Sequence, residues 1–165
     1  MKHVYTLILT LPLLMLSACF AGTAYQPMGT DSTGGYMHEK HSRNHYTVGF
    51  AGNGFTKADQ AYDFTVLRAA ELGQELGYKY FIIEGTHNKT SVSKSQGITT
   101  FNATPTYGGG ISGIAQPSTV RVPKPGYKID VRYYDNKPSK RDGKSMGVAD
   151  TIDVLRAKHG IDNNV

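Results

Sequence analysis

Apolar and polar positions change rhythm several times along this chain, and each change marks an element. Residues 4–16 form an apolar run broken only by Tyr5, Thr6, Thr10 and Pro12. That run is shorter than the roughly 20 residues a helix needs to cross about 30 Å of hydrocarbon. Residues 20–45 hold no sustained period and are rich in Gly, Pro and hydroxyl side chains, which predicts a flexible tether. Alternation starts at Tyr46-Thr-Val-Gly-Phe-Ala51, the pattern of a strand, and Gly52-Asn53-Gly54 reads as a turn. Thr56 then offers a helix N-cap hydroxyl, with Asp59 three residues on. Ala61, Thr65, Ala69, Leu72 and Leu76 follow at helical spacing, widened by Tyr62 and Phe64, and Gly77 suits a left-handed helix end.

Past that helix, Tyr78-Lys-Tyr-Phe-Ile-Ile-Glu84 is aromatic and β-branched, a second strand. Residues 85–125 break the rhythm with Thr, Ser and Gly, including Gly108-Gly109-Gly110. A structureless loop of that length is uncommon in a compact domain, so a ragged β-hairpin or an insertion is expected there. In residues 126–134, Tyr127, Ile129, Val131 and Tyr133 alternate with Lys128, Asp130, Arg132 and Tyr134: a strand with one wet face. Val148, Ile152 and Leu155 then make the apolar stripe of a short helix ending near Gly160. The expected fold is α+β, a small and mostly antiparallel sheet with two helices on one face, in the order β-α-β-(long loop)-β-α. Residues 46–160 would form the single domain.

Composition narrows the class. The chain has 165 residues, 19 Gly, 7 Pro, no Trp and a formal charge of +5. Its basic residues do not run together. The densest stretch, residues 137–144, is interrupted by Pro138, Asp142 and Gly143, which speaks against nucleic acid and for a solvated surface with mild affinity for anionic polymers or headgroups.

The N-terminus carries a sharper signal. Lys2 and the short apolar run are followed by Leu16-Ser17-Ala18-Cys19, and Cys19 is the only cysteine. A short apolar core ending in small residues is the pattern of a cleaved signal peptide. The tetrapeptide closely resembles the bacterial lipobox. That resemblance implies a signal peptide of residues 1–18, diacylglycerol on the Cys19 sulfur and usually an N-acyl chain such as palmitate. Residues 19–45 would then be a lipidated tether, and the partner of Cys19 a lipid bilayer. Phe20, where an Asp would favour inner-membrane retention, implies the outer membrane, facing the periplasm.

Further residues resemble a family of short proteobacterial lipoproteins, the CC0125/CC1285 family. They are Gly35-Tyr36, Tyr46-Thr-Val-Gly-Phe-Ala-Gly-Asn-Gly54, Leu67-Arg68-Ala69-Ala70-Glu71-Leu72, Tyr78-Lys-Tyr-Phe81 and Lys124-Pro125-Gly126. The resemblance spans residues 35–134 except their Gly/Thr-rich middle. It implies an envelope address and a small domain, and brings no reaction with it.

Few residues suggest chemistry. His38, His41 and His45 stand at intervals of three and four, which on a helix would align imidazoles for Zn²⁺ or Cu²⁺ beside Glu39. The zinc-protease pattern His-Glu-x-x-His is absent, because His38 and His41 are one residue too close. Gly49 to Gly54 lacks the Lys-Ser/Thr pair of a phosphate loop. Arg68 and Glu71 fit a boundary ion pair three residues apart on a helix. A hydrolytic site would have to join His87 or His159 to a carboxylate in three dimensions. No catalytic residue, metal or cofactor is therefore expected. The expected function is a non-enzymatic binding or structural envelope module, with residues 85–125 as its contact surface toward an envelope protein or polymer; the alternative is periplasmic metal binding through His38, His41 and His45.

Overall fold

A computed structural model describes residues 22–29, 34–97, 100–105, 107, 109, 111–116, 118–139 and 143–162. The expected signal peptide and Cys19 lie outside them. The fold is α+β. Strands β1 (Gly35–Lys40) and β2 (His45–Ala51) precede helix α1 (Ala58–Glu75), and β3 (Tyr80–Asn88) follows it. Four short strands come next, β4 (Ser91–Gln96), β5 (Thr100–Pro105), β6 (Ile111–Gln116) and β7 (Thr119–Lys124). Strand β8 (Gly126–Tyr134), strand β9 (Ser145–Gly147) and helix α2 (Val148–His159) complete the order.

Five strands make one antiparallel sheet in the order β1-β2-β8-β3-β9. The alternation in β8 places Ile129, Val131 and Tyr133 wholly inside, and β2 matches it with Tyr46, Val48 and Phe50. Both helices cover that face. Phe64, Leu67, Ala69 and Leu72 come from α1, and Val148 and Ile152 from α2. The Tyr133 hydroxyl donates to the Ala69 carbonyl at 2.7 Å, so the largest core side chain on β8 carries no unpaired polar atom. The two core clusters, with the side chains packed on them, run from Tyr25 to Ile161.

The structure corrects three expectations. First, residues 22–45 are not a plain tether. Thr23 is buried, its amide donating to Thr56 Oγ1 at 2.9 Å and its hydroxyl accepting from the Asn53 amide at 2.8 Å. The Tyr25 ring sits 4.9 Å from Tyr36 and 5.3 Å from Phe64, and residues 35–40 form β1 along β2. Two aromatics outweigh the Gly-rich surroundings because each buries a large apolar area. Second, Thr56 does not cap α1. Lys57 is the N-cap and makes no side-chain cap bond, while Thr56 Oγ1 is taken by Thr23 and Asn53. Third, Leu76 is 40% exposed, for α1 ends at Glu75; Gly77 is left-handed at φ 82°, as expected.

The described residues between 85 and 125 form a two-stranded ribbon. Strands β3 and β8 pair as far as Asn88 and Tyr127, β4 and β7 from Ser91/Lys124 to Gln96/Thr119, and β5 and β6 from Thr100/Gln116 to Pro105/Ile111. The hairpin expected there exists, and it is an outgrowth of the two inner strands.

Candidate functional site

The wet face of the sheet gathers the titratable groups. Residues of β2 and β8 that alternate with the core face it: His45, Thr47, Lys128, Asp130 and Arg132. A register shift in β3 between Ile83 and Gly85 brings Glu84 and His87 to the same side. Arg132 forks onto Glu84 at 2.5 and 3.1 Å, and His45 Nε2 lies 3.5 Å from Glu84. The Thr47 hydroxyl donates to Asp130 Oδ1 at 2.6 Å, which leaves His41 Nε2 as donor to Thr47 Oγ1 at 2.7 Å. His87 Nε2 meets Asp130 Oδ2 at 3.0 Å. The Thr47 bond, then the His87 bond, hold the Asp130 carboxyl below the usual carboxylate range.

In this chain of bonds the Thr47 hydroxyl donates to a carboxylate and not to an imidazole. A hydroxyl nucleophile gives its proton to a strong base, commonly an imidazole. Here the Thr47 proton points at a carboxylate whose basicity its neighbours have lowered. His159 meets Asp63 at 2.8 Å, but Lys158 meets the same oxygen at 2.6 Å, and His159 packs edge-on against Phe64. That second pairing ties α2 to α1.

The expected histidine cluster divides. His41 and His45 have ring centroids 5.3 Å apart on the wet side, whereas His38 pairs in register with the fully buried Val48, on rungs belonging to the opposite face. Strand geometry causes this, since successive residues of a strand alternate faces and the helical spacing loses its meaning. Among the described residues no group of three or more His, Cys, Asp or Glu could hold a metal ion.

A second charged cluster is buried. Arg68 donates to both Glu75 oxygens at 2.6 and 3.0 Å and lies 4.8 Å above the Tyr36 ring. Glu71 accepts from Arg156 at 2.7 and 3.2 Å and from the Tyr25 hydroxyl, with Arg68 3.8 Å away. The Arg68–Glu71 pair is thus one edge of a network that staples the N-terminal segment and α2 to α1. Burial opposes the charge on Arg68, but the Glu75 bond and charge together with Tyr25 and Tyr36 outweigh it, and its pKa is raised. Burial and the Glu71 bond push the Tyr25 phenol above its ordinary value, keeping it a donor. A cavity of about 440 Å³ opens beside this network. Among the buried side-chain polar atoms of the described residues, Arg68 Nε is without a hydrogen-bond partner.

The ribbon is the third feature. All residues of β4 and β7 except Ser93 and Val122 are exposed, including Val92 at 57% and Val120 at 49%, and Tyr107 at the tip is fully exposed. Its root is fixed where Val122 lies against Gly54, a position with no room for a Cβ, and where the Gly52 amide donates to the Pro125 carbonyl at 2.7 Å. Sequence reasoning singled out residues 85–125 but overlooked their charge: no Asp or Glu occurs between Glu84 and Asp130. Ser91, Ser93 and Ser95 all sit on β4, paired in register with Lys124, Val122 and Val120. Asp135 follows β8 and lines a shallow hollow with Arg43 and Tyr78, apart from Asp130. Comparison with family models, with curated proteins and with solved structures finds no match.

Proposed function

We propose that this chain is a lipid-anchored module of the bacterial cell envelope that works by contact and not by turnover. Residues 1–18 act as the export signal, Cys19 is acylated, and the domain stands at the outer membrane facing the periplasm. The resemblance to the CC0125/CC1285 lipoproteins belongs to this reading. One observation carries it: the Leu16-Ser17-Ala18-Cys19 motif lies four residues from Thr23, which is buried and bonded to both Asn53 and Thr56. Four residues span at most about 14 Å. An acyl chain on Cys19 would therefore hold the folded domain directly against the bilayer, with no long tether between. Two or three chains make desorption negligible, since each buried CH₂ contributes about 0.8 kcal/mol.

The ribbon is the contact element of this reading, because an exposed projection on a rigid scaffold is where recognition is commonly placed. The intact mass of protein purified from membranes tests the anchor. The expected result is a mature mass starting at Cys19 plus acyl chains, lost in Cys19→Ser. An unlipidated species from the wild type, cleaved or uncleaved, overturns the reading.

A further inference from the structure

We propose that the ribbon is a second membrane-binding element, with a basic stem for anionic phospholipid headgroups and an uncharged end that enters the bilayer interface. For its location it rests on the lipid-anchor reading; for its chemistry it rests on the ribbon itself.

Charge is the first argument. The stem and its root carry Lys89, Lys94, Arg121 and Lys124, all exposed, and no carboxylate occurs between Glu84 and Asp130 to neutralise them. Lys94 and Arg121 stand directly opposite each other in the β4–β7 register. Like charges opposed across a ladder destabilise it, so nothing in the folding of the ribbon calls for this pair. An anionic surface removes the repulsion and gains both attractions.

The pattern beyond the stem is the second argument. Residues 97–118 contain no Asp, Glu, Lys, Arg or His. Alternate rungs of a ribbon share a face. Three alternate rungs here are Phe101/Ala115, Ala103/Gly113 and Pro105/Ile111, without a polar side chain among them. The rungs between them are Thr100/Gln116, Asn102/Ile114 and Thr104/Ser112, polar but for Ile114. The register thus alternates apolar and mostly polar residue types along the two backbones, and Tyr107, fully exposed, lies at the tip, an aromatic with one apolar and one wet end. Both backbone edges of β5 and β6 that do not face each other must find water, so this end suits the headgroup boundary and not the hydrocarbon centre.

Position is the third. Thr23, at most about 14 Å from Cys19, bonds to the Asn53 amide. The adjacent Gly52 and Gly54 hold the ribbon root through Pro125 and Val122. A groove of about 530 Å³ at that corner is lined by Asn53, Ser91 and Lys124 together. The chain arrives from its anchor and the ribbon departs at one corner of the domain, so the stem charges lie near the headgroups. The field of an anionic surface decays within about 8–10 Å at physiological salt, which makes this proximity decisive.

The test uses residues 20–165, which contain both core clusters and lack Cys19, so lipidation cannot influence the result. The chain has no Trp, and Tyr107→Trp supplies a single reporter at the tip. Vesicles of phosphatidylcholine alone are compared with vesicles holding about one-third phosphatidylglycerol. Sedimentation with the anionic vesicles only, with a blue-shifted tip emission, is the expected result. Since each basic residue near such a surface contributes about fivefold in partitioning, the double variant Lys94→Glu/Arg121→Glu should bind at least about 25-fold more weakly. Raising the salt to about 0.5 M should release the wild-type protein. Absence of binding to either vesicle, equal binding to both, an unaffected double variant, or capture by an anionic polysaccharide in place of vesicles overturns the proposal. The mass of the membrane-purified protein stands apart from all of these, so failure here leaves the anchor reading to its own experiment.

Discussion

The sheet and the ribbon are built from the same two stretches of chain, and only one of them has a second layer. Strands β3 and β8 pair antiparallel, and β4 and β7 carry the pairing outward. Within the sheet, α1 lies across β2 and β8, and Ile129, Val131, Tyr133 and Phe81 are wholly buried in the cluster that both helices complete. In the stem, only Ser93 and Val122 are even partly covered. Backbone hydrogen bonding is similar in kind in both regions, so the difference lies in apolar area removed from water, worth about 25 cal/mol per Å². A two-stranded ribbon by itself is marginal in water. Its pairing is inherited from the sheet at its root, and side chains freed from core duty there can serve contact.

Core truncation against ribbon removal gives the widest contrast. Leu67 is wholly buried between α1 and the sheet, so Leu67→Ala should cost about 3–5 kcal/mol in urea unfolding. Replacing residues 94–121 by Asn-Gly, which closes the stem after the Ser93/Val122 rung, should shift Tm by less than about 4 °C. A larger loss on removing the ribbon would show that it belongs to the cooperative domain after all.

The same division explains what could be read in the chain. Residues 126–134 and 46–51 alternate strictly because one face of each is buried, and α1 shows its stripe for the same reason. Elements without that constraint left weaker traces. In β4 and β7 polar residues occupy both faces, so no period of two emerges from Ser91 to Gln96. Strand β1 is an edge strand whose Tyr36 alone points firmly to a core, through Tyr25 on a segment far from it in pattern. The wet-face network was hidden by distance along the chain: His87 and Asp130 meet only through the β3–β8 register. The absence of acid between Glu84 and Asp130, by contrast, was open to inspection.

Buried charge and exposed charge sharpen the comparison next. Glu71 has a side chain 10% exposed and satisfies Arg156 and Tyr25 together. Removing one partner of a buried ion pair strands the other, so Glu71→Gln should cost about 2–4 kcal/mol by chemical denaturation. A loss below about 1 kcal/mol would mean that water already reaches this network and that it does not staple α2 to α1.

Asp130, half-way between these cases on the wet face, should show itself through pH. Its folded pKa is lowered, by Thr47 first and His87 second. Its contribution is therefore present above the unfolded carboxylate pKa of about 4 and is lost as pH falls through the lower folded value. The stability difference between wild type and Asp130→Asn should stay under about 1 kcal/mol at neutral pH, as suits a partly exposed group. It should shrink toward zero under acid. A difference that grew on acidification would contradict the bonding seen around the carboxylate.

The smallest effect is the most telling for the ribbon, because stability and function should move in opposite directions. Lys94→Glu turns the opposed pair with Arg121 from repulsive to attractive, which should stabilise the stem by about 0.2–1 kcal/mol. Amide exchange across β4 and β7 should slow accordingly, while exchange in α1 and β8 stays unchanged. The same substitution should weaken attachment to anionic vesicles. If exchange slowed and attachment held, the repulsion between Lys94 and Arg121 would have no connection with membranes. If neither changed, the two side chains would be too far apart in solution to sense each other, and the ribbon would owe nothing to its charge. Opposite movement of the two readings would identify Lys94 as a residue kept at the expense of the strand pair that carries it.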